Sequence, residues 1–149
     1  MASSAFGWGA DWSNRGHWAS SDNMVIGDDH TRYLCWSTCL SLRVLDGMNP
    51  IRTWGGPDHG FRMLFGFETT SIDSPDYGKN FWAEWNKGKS FSQAWLDASW
   101  DISHTQAPSV VACGANSDEA GARLNNERVL SWDAVSTNWF SRRWYYAAR

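Results

Sequence analysis

The chain has 149 residues, 42% of them hydrophobic and 19% charged, with a formal net charge of −3; that length suits one domain, and the balance is not that of a disordered chain. Its 16 acidic and 13 basic residues are well mixed, so no basic stripe is present to track a phosphate backbone and nucleic acid is not an expected partner. No apolar run approaches the ~20 residues that span a bilayer, and the opening Met1-Ala2-Ser3-Ser4-Ala5-Phe6 lacks the basic flank and apolar stretch of a signal peptide; the expectation is a cytoplasmic protein with no membrane partner.

Residues 1–31 are rich in Gly, Ser, Asp and Asn, with Phe6, Trp8, Trp12 and Trp18 interspersed. They predict loops anchored by aromatics, with a short strand near residues 5–8. Residues 32–39 (RYLCWSTC) predict a buried or half-buried strand ending at Cys39. Breakers on both sides of Ile51 to Trp54 make residues 46–60 a long surface loop. Residues 61–67 (FRMLFGF) predict a second strand and residues 73–78 (DSPDYG) a turn, after which Phe81, Trp82 and Trp85 fall at helical spacing until Gly88.

Ser90 is placed to cap a further helix, because Phe91, Ala94, Trp95 and Ala98 recur along one face behind it. Residues 108–113 (PSVVAC) predict a third strand ending at Gly114, Ser117-Asp118-Glu119-Ala120 a helical turn, and residues 139–146 a last strand at the sheet edge. Strands separated by helices predict a single α/β domain over residues 1–149, with the loop-rich residues 1–31 packed on a mostly parallel sheet flanked by helices. In such a sheet ligands bind at the carboxyl ends of the strands. That rule selects Cys39, Glu68 to Ser71, and Cys113 to Ala115.

The three cysteines, Cys35, Cys39 and Cys113, cannot all pair within one chain, and without a secretion signal reduced thiols are expected. A thiol nucleophile needs a base or a depressed pKa. For Cys39 the candidate bases are His17 upstream and His59 downstream, both in loops; the competing reading of Cys39 is a small buried hydrophobe. On an extended strand Cys35 and Cys39 would stand roughly 13 Å apart on one face, too far to share a tetrahedral metal, so no metal and no cofactor is expected.

Asp22, Asp28, Asp29 and His30 read as a solvated turn, and Gly7-Trp8-Gly9 lacks the further glycine of a phosphate cradle. The 12 tryptophans are expected to be mostly core, with a minority lining a pocket or a subunit contact. Trp8 and Trp36, with Glu68, Thr69 and Thr70, are the candidates for contact with a small-molecule substrate.

The segment order RYLCWSTCLSL (32–42), HGFRMLFGFETTSID (59–73), GKNFWAEWNKGKSFSQAWLDA (78–98) and residues 110–114 resembles a microbial domain-of-unknown-function family, number 6345, that looks distantly related to caspase- and gingipain-like cysteine peptidases. The resemblance implies a caspase-like fold, short at its N-terminus, with Cys39 at the catalytic cysteine position. The place of a Gly-His-Gly motif is taken by Phe6-Gly7-Trp8-Gly9, which favours a role other than peptidase.

Two functions follow as expectations. One is an enzyme that holds a small organic substrate in a Trp-rich pocket at the strand ends, in hydrolysis, acyl transfer, ring closure or isomerisation of the kind found in specialised metabolism. The other is an inactive binding or assembly module, including a homo-oligomer, whose incomplete sheet leaves an edge for another chain.

Overall fold

The computed structural model describes residues 5–7, 18–20, 30–45 and 60–146, the first two segments as backbone. Strands β1 (Ala5–Gly7) and β2 (Trp18–Ser20) form an antiparallel pair. Strands β3 (Tyr33–Cys35), β4 (Met63–Phe67), β5 (Pro108–Gly114) and β6 (Trp139–Trp144) form a four-stranded sheet in that order. Helices α1 (Tyr77–Asn86) and α2 (Phe91–Ile102) lie in the chain between β4 and β5, and α3 (Ser117–Asn126) between β5 and β6.

The sheet is mixed rather than mostly parallel: β3 and β4 run parallel, whereas β4 with β5 and β5 with β6 are antiparallel. The physical reason lies in the connection. A single crossover helix returns the chain in the same direction, but here two helices joined by a short link intervene, and the extra reversal brings β5 back antiparallel. Both central strands are buried throughout, which is why MLFGF and PSVVACG read as near-continuous small and apolar runs.

Local chemistry sets the helix ends. Ser90 has extended backbone and its hydroxyl accepts from the Gln93 N–H at 3.3 Å, capping α2 as its spacing predicts. Asn116 caps α3 through Glu119 N–H at 2.9 Å, while the Glu119 carboxylate reaches back to the Ala115 N–H. α3 continues to Asn126, well beyond one turn. α1 begins earlier than its aromatic spacing suggests, taking in Tyr77 and Gly78, which had read as turn residues, and it ends at Asn86, with Lys87 as its cap and Gly88 turning the chain away at a φ of 87°.

Two apolar clusters sit on opposite faces of the sheet. The larger joins Met63, Phe65, Phe67, Val110 and Ala112 to Tyr77, Phe91, Trp95, Leu96 and Leu124, so all three helices bury residues on one face. The smaller joins Leu64, Val111 and Cys113 to Phe61 and Leu42, with Leu34, Trp36, Val44, Val135 and Phe140 around it. Among the described residues, helices therefore cover one face only and irregular segments pack on the other.

The described tryptophans divide evenly between core and surface. Trp95 is buried and Trp36, Trp85 and Trp100 are half-buried, the first two packed on the core clusters, while Trp82, Trp132, Trp139 and Trp144 are exposed. These four stand on α1, on the connection after α3 and on edge strand β6. No helix among the described residues is long and apolar enough to cross a membrane.

Candidate active site

The strand expected over residues 32–39 stops at Cys35. The chain bends at Thr38 and turns through residues 39–42, with Leu40 in the left-handed region at a φ of 58°. The Ser41 hydroxyl closes this turn, donating to the Trp36 carbonyl and accepting from the Phe67 N–H, both at 3.0 Å. Cys39 is thus the tip of a turn, not the end of a strand, and the extended spacing assumed between Cys35 and Cys39 does not hold. The turn packs so closely on β4 that a Cβ at Gly66 would stand 2.3 Å from the Ser41 Oγ.

This turn brings Cys39 against the segment that follows β4. The Cys39 Sγ accepts from the Ser71 N–H at 3.2 Å and lies 3.5 Å from the Ser71 Oγ. The Ser71 hydroxyl and then its N–H hold the Cys39 thiol below its ordinary value. Cys39 is exposed. The other cysteines are the opposite case: burial pushes Cys113 far up, and the low-polarity surroundings of the Cys35 sulfur push it up to about 11, although that residue as a whole is exposed.

A cavity of about 460 Å³ opens at the carboxyl end of β3, and its lining reaches Ser37, two residues before Cys39. Tyr33 and Cys35 of β3, Ser37 after it and Phe65 of β4 form its floor. Tyr77, Gly78 and Phe81 of α1 with Phe91 and Trp95 of α2 form its walls, and Leu130 closes one side. The lining is nearly all carbon. Trp95 is the one tryptophan in it, so the pocket is aromatic through Phe and Tyr rather than Trp-rich.

Thiol and cavity are joined through two successive residues. Ser71 holds the sulfur, and the next carbonyl, that of Ile72, accepts from the Tyr77 hydroxyl at 2.7 Å. Burial raises the Tyr77 phenol, and the charge of a Cys39 thiolate raises it further. At the other end the Tyr33 hydroxyl donates to Glu127 at 2.5 Å and accepts from the Ser131 N–H at 3.0 Å. Burial alone would raise Glu127, but its two-pronged pairing with Arg62, both contacts at 2.7 Å, outweighs this and holds it low.

The remaining sequence candidates are dispersed. Glu68 is buried, its carboxylate accepting from the Val44 and Leu45 N–H groups at 2.9 Å each and pairing with Arg142, so it holds structure on the face away from the cavity. The Thr69 hydroxyl accepts from the Ala107 N–H at 2.8 Å, and Thr70 is exposed. Trp36 packs with the cluster opposite the cavity. Trp8, His17 and His59 lie outside the described residues, as do Asp22, Asp28 and Asp29.

Among the described residues no group of three or more His, Cys, Asp or Glu side chains could hold a metal. Sequence reasoning reached Cys39 and Ser71 through the strand-end rule. It missed Tyr33, Ser37, Phe65, Phe81 and Leu130 as a wall, because each reads locally as core or loop.

The sequence pattern of a family described as a domain of unknown function (DUF6345) matches residues 2–148. No curated protein and no solved structure matches the chain.

Proposed function

From the premise that the chain belongs to the DUF6345 family, a domain of unknown function, we propose that the protein is an enzyme that holds a small organic molecule in the aromatic cavity and uses Cys39 as a nucleophile on it, in acyl transfer or hydrolysis. One observation carries the reading: an exposed thiol, with two donors from Ser71 to its ionised form, sits one residue from the carbonyl that holds the cavity phenol Tyr77. Hydrogen bonds to the charged form favour the thiolate in the same sense as a neighbouring histidine would. Ring closure or isomerisation, in which the cavity shapes the substrate, is the version that would survive Cys39→Ala.

Alkylation by iodoacetamide from about pH 5 to about pH 10, read cysteine by cysteine by mass spectrometry, tests the nucleophile. A lowered pKa means that the reactive thiolate is populated at lower pH. Cys39 should therefore reach its full rate below the pH at which an ordinary thiol does, Cys35, its thiol pushed up to about 11, should still be well short of its full rate at the top of the range, and Cys113 should stay unmodified in the folded protein. A Cys39 no faster than Cys35 would sink the reading.

Assembly with a second copy is the second reading, favoured by Trp132 at 80% exposure and by Trp139 and Trp144 exposed on edge strand β6. A strict monomer by light scattering at high concentration would remove it.

A further inference from the structure

The cavity wall also constrains what enters it. The Tyr33 hydroxyl is taken up by Glu127 and Ser131, that of Tyr77 by Ile72 and Gln106, and the Trp95 indole N–H by the Gly66 carbonyl at 3.2 Å. No aromatic N–H or O–H on the wall is left to donate to a ligand, so a carboxylate moved inside would lose its water with only the Ser37 hydroxyl in the lining to replace it. What the wall offers is rings: Phe65 and Phe81 meet edge to face with centroids 6.3 Å apart, and Phe81 stacks with Phe91 at 6.3 Å. A flat unsaturated ring finds there the same edge and face contacts that hold the wall together. The volume of about 460 Å³ admits on the order of fifteen water-sized groups at ~30 Å³ each.

Resting on the nucleophile reading above, we infer that the substrate is a neutral aryl acyl thioester or ester whose ring system fills the cavity among Phe65, Phe81 and Phe91, with its carbonyl left outside the carbon wall on the Ser37 side, next to Cys39. The Cys39 sulfur attacks the acyl carbon, a new C–S bond forms, and the bond to the leaving thiol or alcohol breaks. The leaving group takes a proton from solvent. Nothing is oxidised or reduced, and water or an acceptor nucleophile then releases the acyl group from Cys39.

The test uses three thioesters with one leaving thiol, carrying 2-naphthoyl, acetyl and succinyl groups, each rate being divided by that thioester's rate with free N-acetylcysteine. Acylated Cys39 is quantified by mass spectrometry, with Cys39→Ala as the blank. The expected result is a naphthoyl rate at least about tenfold above acetyl, with succinyl the slowest. Two variants locate the preference. Gly78→Leu fills space beside α1, where a Cβ meets nothing within 4 Å, and Leu130→Asp puts a charge on the lining at an exposed position; either should bring naphthoyl down towards acetyl. Equal naphthoyl and acetyl rates, or a preference untouched by both variants, would overturn the inference and leave the nucleophile reading standing. No acylation of Cys39 by any of the three would overturn both.

Discussion

The two faces of the four-stranded sheet treat polar groups in opposite ways. On the face away from the helices a carboxylate, Glu68, is buried at 1% exposure and both its oxygens are bonded, to Val44 and Leu45 N–H groups and to Arg142. That face is closed around a charge. On the helix face the polar atoms of Tyr33, Tyr77 and Trp95 are drawn into partners behind the wall, and at the β3 edge the packing stops and leaves an apolar space. A polar residue just past a strand end can thus be pure structure. The cavity is instead marked by aromatic residues from β3, β4, α1 and α2 around an open space.

The sharpest way to break this comparison is Glu68→Ala. It leaves the Arg142 guanidinium buried without its counter-charge and two backbone N–H groups without their acceptor. Removing one partner of a buried pair costs about 3–5 kcal/mol, to be read as a lower urea midpoint at unchanged slope. A cost below about 1 kcal/mol would mean that the pair is wet and that the closed face is no more sealed than the open one.

What could be read in advance follows the range of the forces involved. The Ser90 cap, the Phe91/Trp95 stripe and the burial of the PSVVACG strand depend on neighbours a few residues away, and the sequence shows them. The turn at Cys39 does not, because Leu40 is held left-handed by a turn that the Ser41 hydroxyl ties to Phe67, 26 positions on. Nor does the role of Glu68, whose cation stands 74 positions later. The sheet direction was half legible: both helices between β4 and β5 are visible in the spacing, and their number, rather than their presence, sets the antiparallel return. The cavity is the least legible feature, since its lining comes from β3, β4, α1, α2 and Leu130, no two of which signal each other.

Ser71→Ala sharpens the comparison on the thiol side. It removes the hydroxyl, the larger of the two influences that lower Cys39, and keeps the N–H. Losing a donor to the thiolate raises the pKa, so the alkylation profile of Cys39 should move part of the way back towards alkaline pH and its rate at neutral pH should fall. Stability should change by no more than about 0.5 kcal/mol, as for other substitutions near the surface. An unmoved profile would assign the effect to the backbone N–H alone.

The smallest effect discriminates most finely between a packed and an open helix face. Gly78 is the second residue of α1 and lines the cavity, and a Cβ there would meet nothing within 4 Å. Glycine in a helix is worse than alanine by roughly 0.5–1 kcal/mol because its unfolded chain has more freedom to lose; in the first turn the lower end applies. Gly78→Ala should therefore raise stability by about 0.5 kcal/mol. In a face packed as tightly as the one around Gly66, where the added carbon would press on Ser41 and Leu42, the same change would destabilise by about 1–3 kcal/mol. The sign of this one measurement thus reports whether the space beside α1 is open in solution, and an open space there is what the binding of any ring beside Cys39 requires.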